Sequence, residues 1–228
     1  MKPYLSSVGI VFLVTLAILA WPRQAHAVQL AQVYNYAAGT YSGAQANIST
    51  PPHAPTTQVA TTKSVVQGPD WSYGYPTYSL QIGWKYYPGY SSPVAFYETQ
   101  DQYYNPQDVY IQNVSWGSTH RYHIWYNDAH PGWNQYDFYF DGAKKGTNFG
   151  PVGWQNLVWY AGARMSSSQD MMYSRVGLSP NRFSLFVYST SSWTPNRMNY
   201  QRISGTSFWP IFFIDNYCDF IVYTWNWQ

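Results

Sequence analysis

From Leu80 to Lys85 the side chains alternate. Leu80, Ile82 and Trp84 are large and apolar, while Gln81, Gly83 and Lys85 between them are polar or small. Successive side chains of an extended chain point to opposite faces, so this segment reads as a strand with Gln81, Gly83 and Lys85 together on one face. Period-two alternation recurs along the chain, and no stretch keeps an apolar period of 3.6 over three turns. Aromatic residues make up 21% of the chain and charged residues only 10%. Tyr and Trp suit half-buried pleated surfaces. Good helix formers are scarce, and Glu98 is the single glutamate.

The alternating segments, punctuated by turn residues, predict strands at Tyr41–Ser49, Tyr78–Tyr87, Pro93–Gln100, Asp108–Ser115, Arg121–Asn127, Trp133–Phe140, Trp154–Arg164, Arg182–Thr190 and Asp219–Trp225. The turn-rich Pro88–Ser92 joins the second and third as a hairpin, Trp116-Gly117-Ser118 is a further turn, and Asp141-Gly142 is a hairpin dipeptide. Short strands so spaced point to an all-β, two-sheet antiparallel β-sandwich of jelly-roll, concanavalin A-like type. Thr50–Gly74 is rich in Pro, Thr, Ser and Val and lacks a clear pattern, so it reads as a long loop over the sandwich.

The first residues read differently. Lys2 precedes a largely apolar run of 14 residues, Val8 to Trp21, and Ala25-His26-Ala27 follows as a small-x-small site. This is the order of a secretory signal, and the run is short of the roughly 20 residues that span a bilayer. Export with cleavage near Ala27 is the expectation, leaving 28–228 as one domain with no membrane span. Lys2 and Arg23 leave with the signal, so 12 basic residues fall to 10, against 10 acidic ones. A neutral chain lacks the electrostatic footprint of a nucleic-acid or anionic-membrane binder. Cys218 is the lone cysteine, which excludes an intramolecular disulfide and reads as a small buried hydrophobe.

Three stretches, taken in order, carry a resemblance. They are Tyr41-Ser42-Gly43-Ala44-Gln45-Ala46-Asn47-Ile48; Leu80-Gln81-Ile82-Gly83-Trp84-Lys85-Tyr86-Tyr87-Pro88 with Val94-Ala95-Phe96-Tyr97-Glu98; and Trp154 to Met172. Together they resemble neprosin-type glutamic peptidases and, more distantly, the eqolisin type, over about residues 31–190. The resemblance implies a secreted β-sandwich that cleaves polypeptides with a water activated by a carboxylate. A second group, glutamine or glutamate, orients that water and donates to the developing oxyanion. Gln81 matches the second role. The glutamate expected in the third stretch falls on Ala163, or on Arg164 after a slip of one, and neither can accept a proton from water. Asp170, six residues beyond Arg164, is short and displaced. Glu98, on the strand expected to pair with that of Gln81, is the other candidate base; its plainer roles are a solvated strand glutamate or a partner of Lys85.

The expectation is therefore a weak or inactive pseudo-peptidase with Gln81 and Glu98 as its candidate catalytic residues. A carbohydrate- or surface-binding module is the alternative, because exposed Trp and Tyr stack on sugar rings. Trp84, Trp116, Trp125, Trp133 and Trp193 are the candidates for such exposure. The partner is accordingly a polypeptide or polysaccharide. No Gly-rich phosphate loop precedes a helix, and His120 and His123 fall on opposite faces of a strand, so no cofactor or metal is expected.

Overall fold

The computed structural model describes residues 29–35, 41–56, 58–68, 79–100, 106–127, 134–150, 159–167, 169–178, 182–195, 200–204, 212–215 and 218–224. Residues 1–27, read above as an export signal, and Trp133 and residues 154–158 lie outside them. In chain order the strands are β1 (Gln29–Asn35), β2 (Tyr41–Ser49), β3 (Thr62–Gly68), β4 (Ser79–Tyr86), β5 (Val94–Gln100), β6 (Pro106–Asn113), β7 (Thr119–Asn127) and β8 (Asn134–Phe140). There follow β9 (Ala143–Gly150), β10 (Trp159–Met165), β11 (Tyr173–Val176), β12 (Ser184–Val187), β13 (Ser192–Pro195), β14 (Tyr200–Ser204), β15 (Phe212–Asp215) and β16 (Asp219–Tyr223). No α-helix occurs among the described residues, and none is long and apolar enough to cross a membrane.

Seven strands form one sheet in the order β14-β1-β10-β3-β4-β5-β6, and seven more form the second in the order β15-β16-β11-β2-β7-β8-β9, to which β12 and β13 are added through β2. Every pairing is antiparallel, for example β4 with β5 and β2 with β7. The fold is the expected two-sheet antiparallel β-sandwich. The chain passes from the first sheet to the second at Trp116-Gly117-Ser118, between β6 and β7. Asp141 and Gly142, with φ of 49° and 83°, close the β8–β9 hairpin in the left-handed conformation that such two-residue turns need.

The alternation that marks each strand also builds the core. Leu80, Ile82 and Trp84 of β4 point inward with Ala161 and Ala163 of β10, against Ala44, Ala46 and Ile48 of β2 and Tyr122 and Ile124 of β7. Polar atoms caught between the sheets are satisfied across the gap. The Trp84 indole N–H donates to the Ser49 carbonyl at 2.9 Å, the Trp159 indole N–H to the Tyr41 carbonyl at 3.1 Å, and the Ser174 hydroxyl to Ser64 Oγ at 2.9 Å. A buried donor without a partner would cost about 1–3 kcal/mol, so these bonds hold the sheets in register as well as together.

Seven strands, β1, β3, β9, β11, β13, β14 and β15, lie outside the segments that the sequence reads as strands. Thr62–Gly68 falls inside the segment read as a loop at 50–74, yet it is β3, at the centre of the first sheet between β10 and β4. Six of its seven residues are buried, because both faces are covered there. A strand covered on both faces need not alternate, and the adjacent Val65 and Val66 concealed it. The stretch 143–150 reads as polar but forms the edge strand β9, where Lys144 and Lys145 suit an edge facing water. The strand expected to run to Thr190 ends at Val187, and Tyr188–Thr190 is a 3₁₀ turn into the β12–β13 hairpin.

Candidate functional site

Gln81 and Glu98 sit directly opposite each other on β4 and β5, on the face of the first sheet turned away from the core. The Gln81 Nε2 donates to Glu98 Oε1 at 2.8 Å. A carboxylate only accepts, so this bond fixes the orientation of the amide and leaves Gln81 Oε1 on the other side. That oxygen is buried and has no hydrogen-bond partner among the described residues, and the residue as a whole is 1% exposed. Lys63 of β3 reaches the same carboxylate, 3.2 Å from Oε2 and 3.4 Å from Oε1. Gln81 and Lys63 together occupy three of the roughly four acceptor directions of Glu98, leaving about one for a water.

The register sets a second row beside this pair. Arg164 of β10 lies opposite Lys63 of β3, and Lys63 lies opposite Lys85 of β4, so three cations stand side by side across adjacent strands. Like charges directly opposite one another destabilise a sheet. Two of the three are compensated: Lys63 by Glu98, and Lys85 by Asp108 of β6. Arg164 has no carboxylate partner among the described residues. The Phe96 ring lies beneath both lysines, 4.3 Å from Lys85 Nζ and 5.7 Å from Lys63 Nζ. Burial lowers the Lys63 ammonium, against the pull of Glu98 and with help from Arg164. Burial likewise lowers Lys85 to about 8, with Glu98 opposing and Lys63 reinforcing, and the Asp108 contact works on the side of Glu98. The row opens into a cleft of about 310 Å³ lined by Lys63, Lys85, Arg164 and Glu98, with the hydroxyls of Thr61 and Ser166 at its margin.

The structure places the other sequence candidates as follows. Ala163 is fully buried among core residues and faces the second sheet, so the cleft side of β10 is presented by Arg164. Asp170 is buried away from the cleft, and its Oδ1 accepts the backbone N–H groups of Val59 and Ala60 at 2.8 and 3.1 Å. It clamps the segment leading into β3. Lys85, offered as a partner of Glu98, pairs with Asp108, and Lys63 takes its place. Gly83, on the same face as Gln81, is crowded by a neighbouring strand. The neighbour is backbone: a Cβ there would meet the Ser64 carbonyl oxygen of β3 at 2.0 Å. Register alone brings Arg164 beside Lys63 and Lys63 beside Lys85, and no local sequence pattern marks that row.

The tryptophans divide. Trp84 is fully buried and not a surface residue. Trp116 packs edge-on against Tyr86 at 4.9 Å. Trp125 and Trp193 are half-buried on the outer face of the second sheet, around His123. His123 and His120 do lie on opposite faces of β7: His120 bonds Asp141, while His123 stacks on Tyr139. Cys218 is a buried thiol.

No protein-family model matches this sequence. No curated protein matches it either. Among solved structures, two of scytalido-glutamic peptidase, one with a peptide-based transition-state analogue and one with a transition-state analogue inhibitor, align with TM-score 0.52 at 12% identity. Both cover 86% of this chain and 97% of the peptidase. SCP-B, a member of the eqolisin family of peptidases in complex with the tripeptide Ala-Ile-His, aligns with TM-score 0.49 at 12% identity, covering 86% of this chain and 96% of that one. The chain thus shares the sandwich fold of scytalido-glutamic peptidase.

Proposed function

We propose that this chain is an exported polypeptide-binding protein on a glutamic-peptidase-like sandwich, weak or inactive as a peptidase, with Gln81 and Glu98 as its catalytic pair. The observation that carries the reading is the Gln81–Glu98 hydrogen bond beside a cleft whose remaining charged groups are cations. A glutamine donor and a carboxylate in contact are the minimum for orienting a water and for stabilising an oxyanion. The same Nε2 that would donate to an oxyanion is committed to Glu98, and Lys63 shares both carboxylate oxygens. The residue that β10 presents to the cleft is Arg164, which is not a carboxylate. Binding survives these features; turnover is suppressed by them.

The mature chain, incubated with a fluorogenic peptide pool at acidic pH, is expected to turn over slowly or not at all. Any residual turnover falls with Glu98→Gln, by roughly the 10²–10⁴-fold that a general base contributes. Vigorous proteolysis that persists in Glu98→Gln would refute the assignment.

A second reading has its own observation. His123, Trp125, Tyr139, Phe186 and Trp193 form a contiguous aromatic cluster on the outer face of the second sheet, with ring centroids 4.7–6.5 Å apart. Such a surface suits stacking on sugar rings. These rings are largely satisfied by one another, which places this reading second.

A further inference from the structure

We infer that the cleft at Lys63, Lys85 and Arg164 is a receptor for a carboxylate carried by an extended peptide, either an acidic side chain or a free C-terminus. The inference rests on the peptide-binding reading above and names the feature of the peptide that is selected.

Three observations converge. The first is the row itself. Arg164, Lys63 and Lys85 occupy one register line across three adjacent strands, a placement that carries a repulsive cost in the unliganded sheet. An anion seated over the row relieves that cost. The second is the accounting of charge. Glu98 and Asp108 compensate the two lysines, and the planar guanidinium of Arg164 is left facing the cleft without a carboxylate among the described residues. A guanidinium offers paired N–H donors that match both oxygens of a carboxylate. The hydroxyls of Thr61 and Ser166 flank it and can complete the shell. The third separates a peptide from a simple anion. Gln100 and Tyr87 also line the cleft, and a carboxamide and a phenol can hydrogen-bond the backbone amide groups that a peptide carries and a simple anion lacks. The surroundings strengthen the attraction, because Phe96 floors the row and the lysines are largely withdrawn from water.

Isothermal titration calorimetry on the mature chain tests this with three N-acetylated hexapeptides. One carries a glutamate and an amidated end, one a glutamine in its place with an amidated end, and one that glutamine with a free C-terminal carboxylate. At least one carboxylate-bearing peptide is expected to bind about tenfold or more tighter than the neutral one, as a charge-assisted contact implies. Which of the two gains identifies the source of the carboxylate. Arg164→Gln abolishes the difference between the carboxylate-bearing and neutral peptides. Equal affinity for all three peptides, or a preference that survives Arg164→Gln, overturns the inference and leaves peptide binding standing. Failure of every peptide to bind, with an anionic oligosaccharide binding instead, overturns both.

Discussion

Ala163→Glu is expected to unfold the protein rather than restore a catalytic carboxylate. By sequence pattern this is where a glutamate would complete a glutamic-peptidase site. In the fold, Ala163 is fully buried, opposite Ser64 of β3, inside the contiguous core. A glutamate there places a carboxylate inside the buried core. Its effective desolvation penalty is several kcal/mol, and crowding a methyl-sized site adds about 1–3 kcal/mol. The total approaches the 5–15 kcal/mol that separates a typical domain from its unfolded state. Arg164→Glu, one residue along, is the matched control. Its side chain faces the cleft, and it brings a carboxylate to two lysines at a cost within about 1 kcal/mol. Urea denaturation followed by tryptophan fluorescence reads both. A well-folded Ala163→Glu with stability equal to the parent would mean that β10 runs one residue out of the described register, since a one-residue slip exchanges its faces.

The second large effect is a loss of stability in mild acid. His123 is packed between the rings of Tyr139, stacked at 4.8 Å, and Trp193, edge-on at 4.7 Å, and its buried Nε2 has no partner. Burial lowers its pKa to about 4; Arg121 adds to the shift and Asp137 opposes it. The unfolded chain takes up the proton near the ordinary value of about 6.5, while the folded chain does so only near 4. Between those values the unfolded state binds more protons, so folding stability falls as pH drops through that window. The full contribution is on the order of 3 kcal/mol. Asp137, whose carboxyl is held below its usual value by Lys144, Asn127, Thr147 and Gln135 against its own burial, loses its contribution lower, below about pH 4, so the two are separable. Comparing urea midpoints at neutral pH and near pH 4.5 should show the drop in the parent chain and little of it in His123→Gln. A parent as stable at the lower pH as at neutrality would contradict the packing described for His123.

What the residues disclosed in advance follows from where each strand lies. The β4–β5 hairpin was legible because Leu80, Ile82 and Trp84 face a core while Gln81 and Lys85 do not. That alternation also placed Gln81 and Glu98 on neighbouring strands, where they meet. β3 was not legible, since a strand covered on both faces shows no alternation and its Thr, Ser and Lys resemble loop composition. The cation row was beyond reach for another reason. Residues 63, 85 and 164 are brought together only by the register of three strands, and β10 lies between β1 and β3, far from its sequence neighbours. The same holds for His123, whose surroundings depend on Trp193 from the β12–β13 hairpin.

The central claim is that function resides on the outer face of the first sheet, at Gln81, Glu98 and the cation row. Side-chain NMR of the protein titrated with the acetylated, glutamate-bearing hexapeptide tests it most directly. Shifts are predicted for the Gln81 carboxamide and the Arg164 guanidinium signals, with the indole N–H signals of Trp125 and Trp193 unmoved. Shifts confined to those two indoles, with the Gln81 and Arg164 signals unchanged, would contradict it and move the site to the aromatic face of the second sheet.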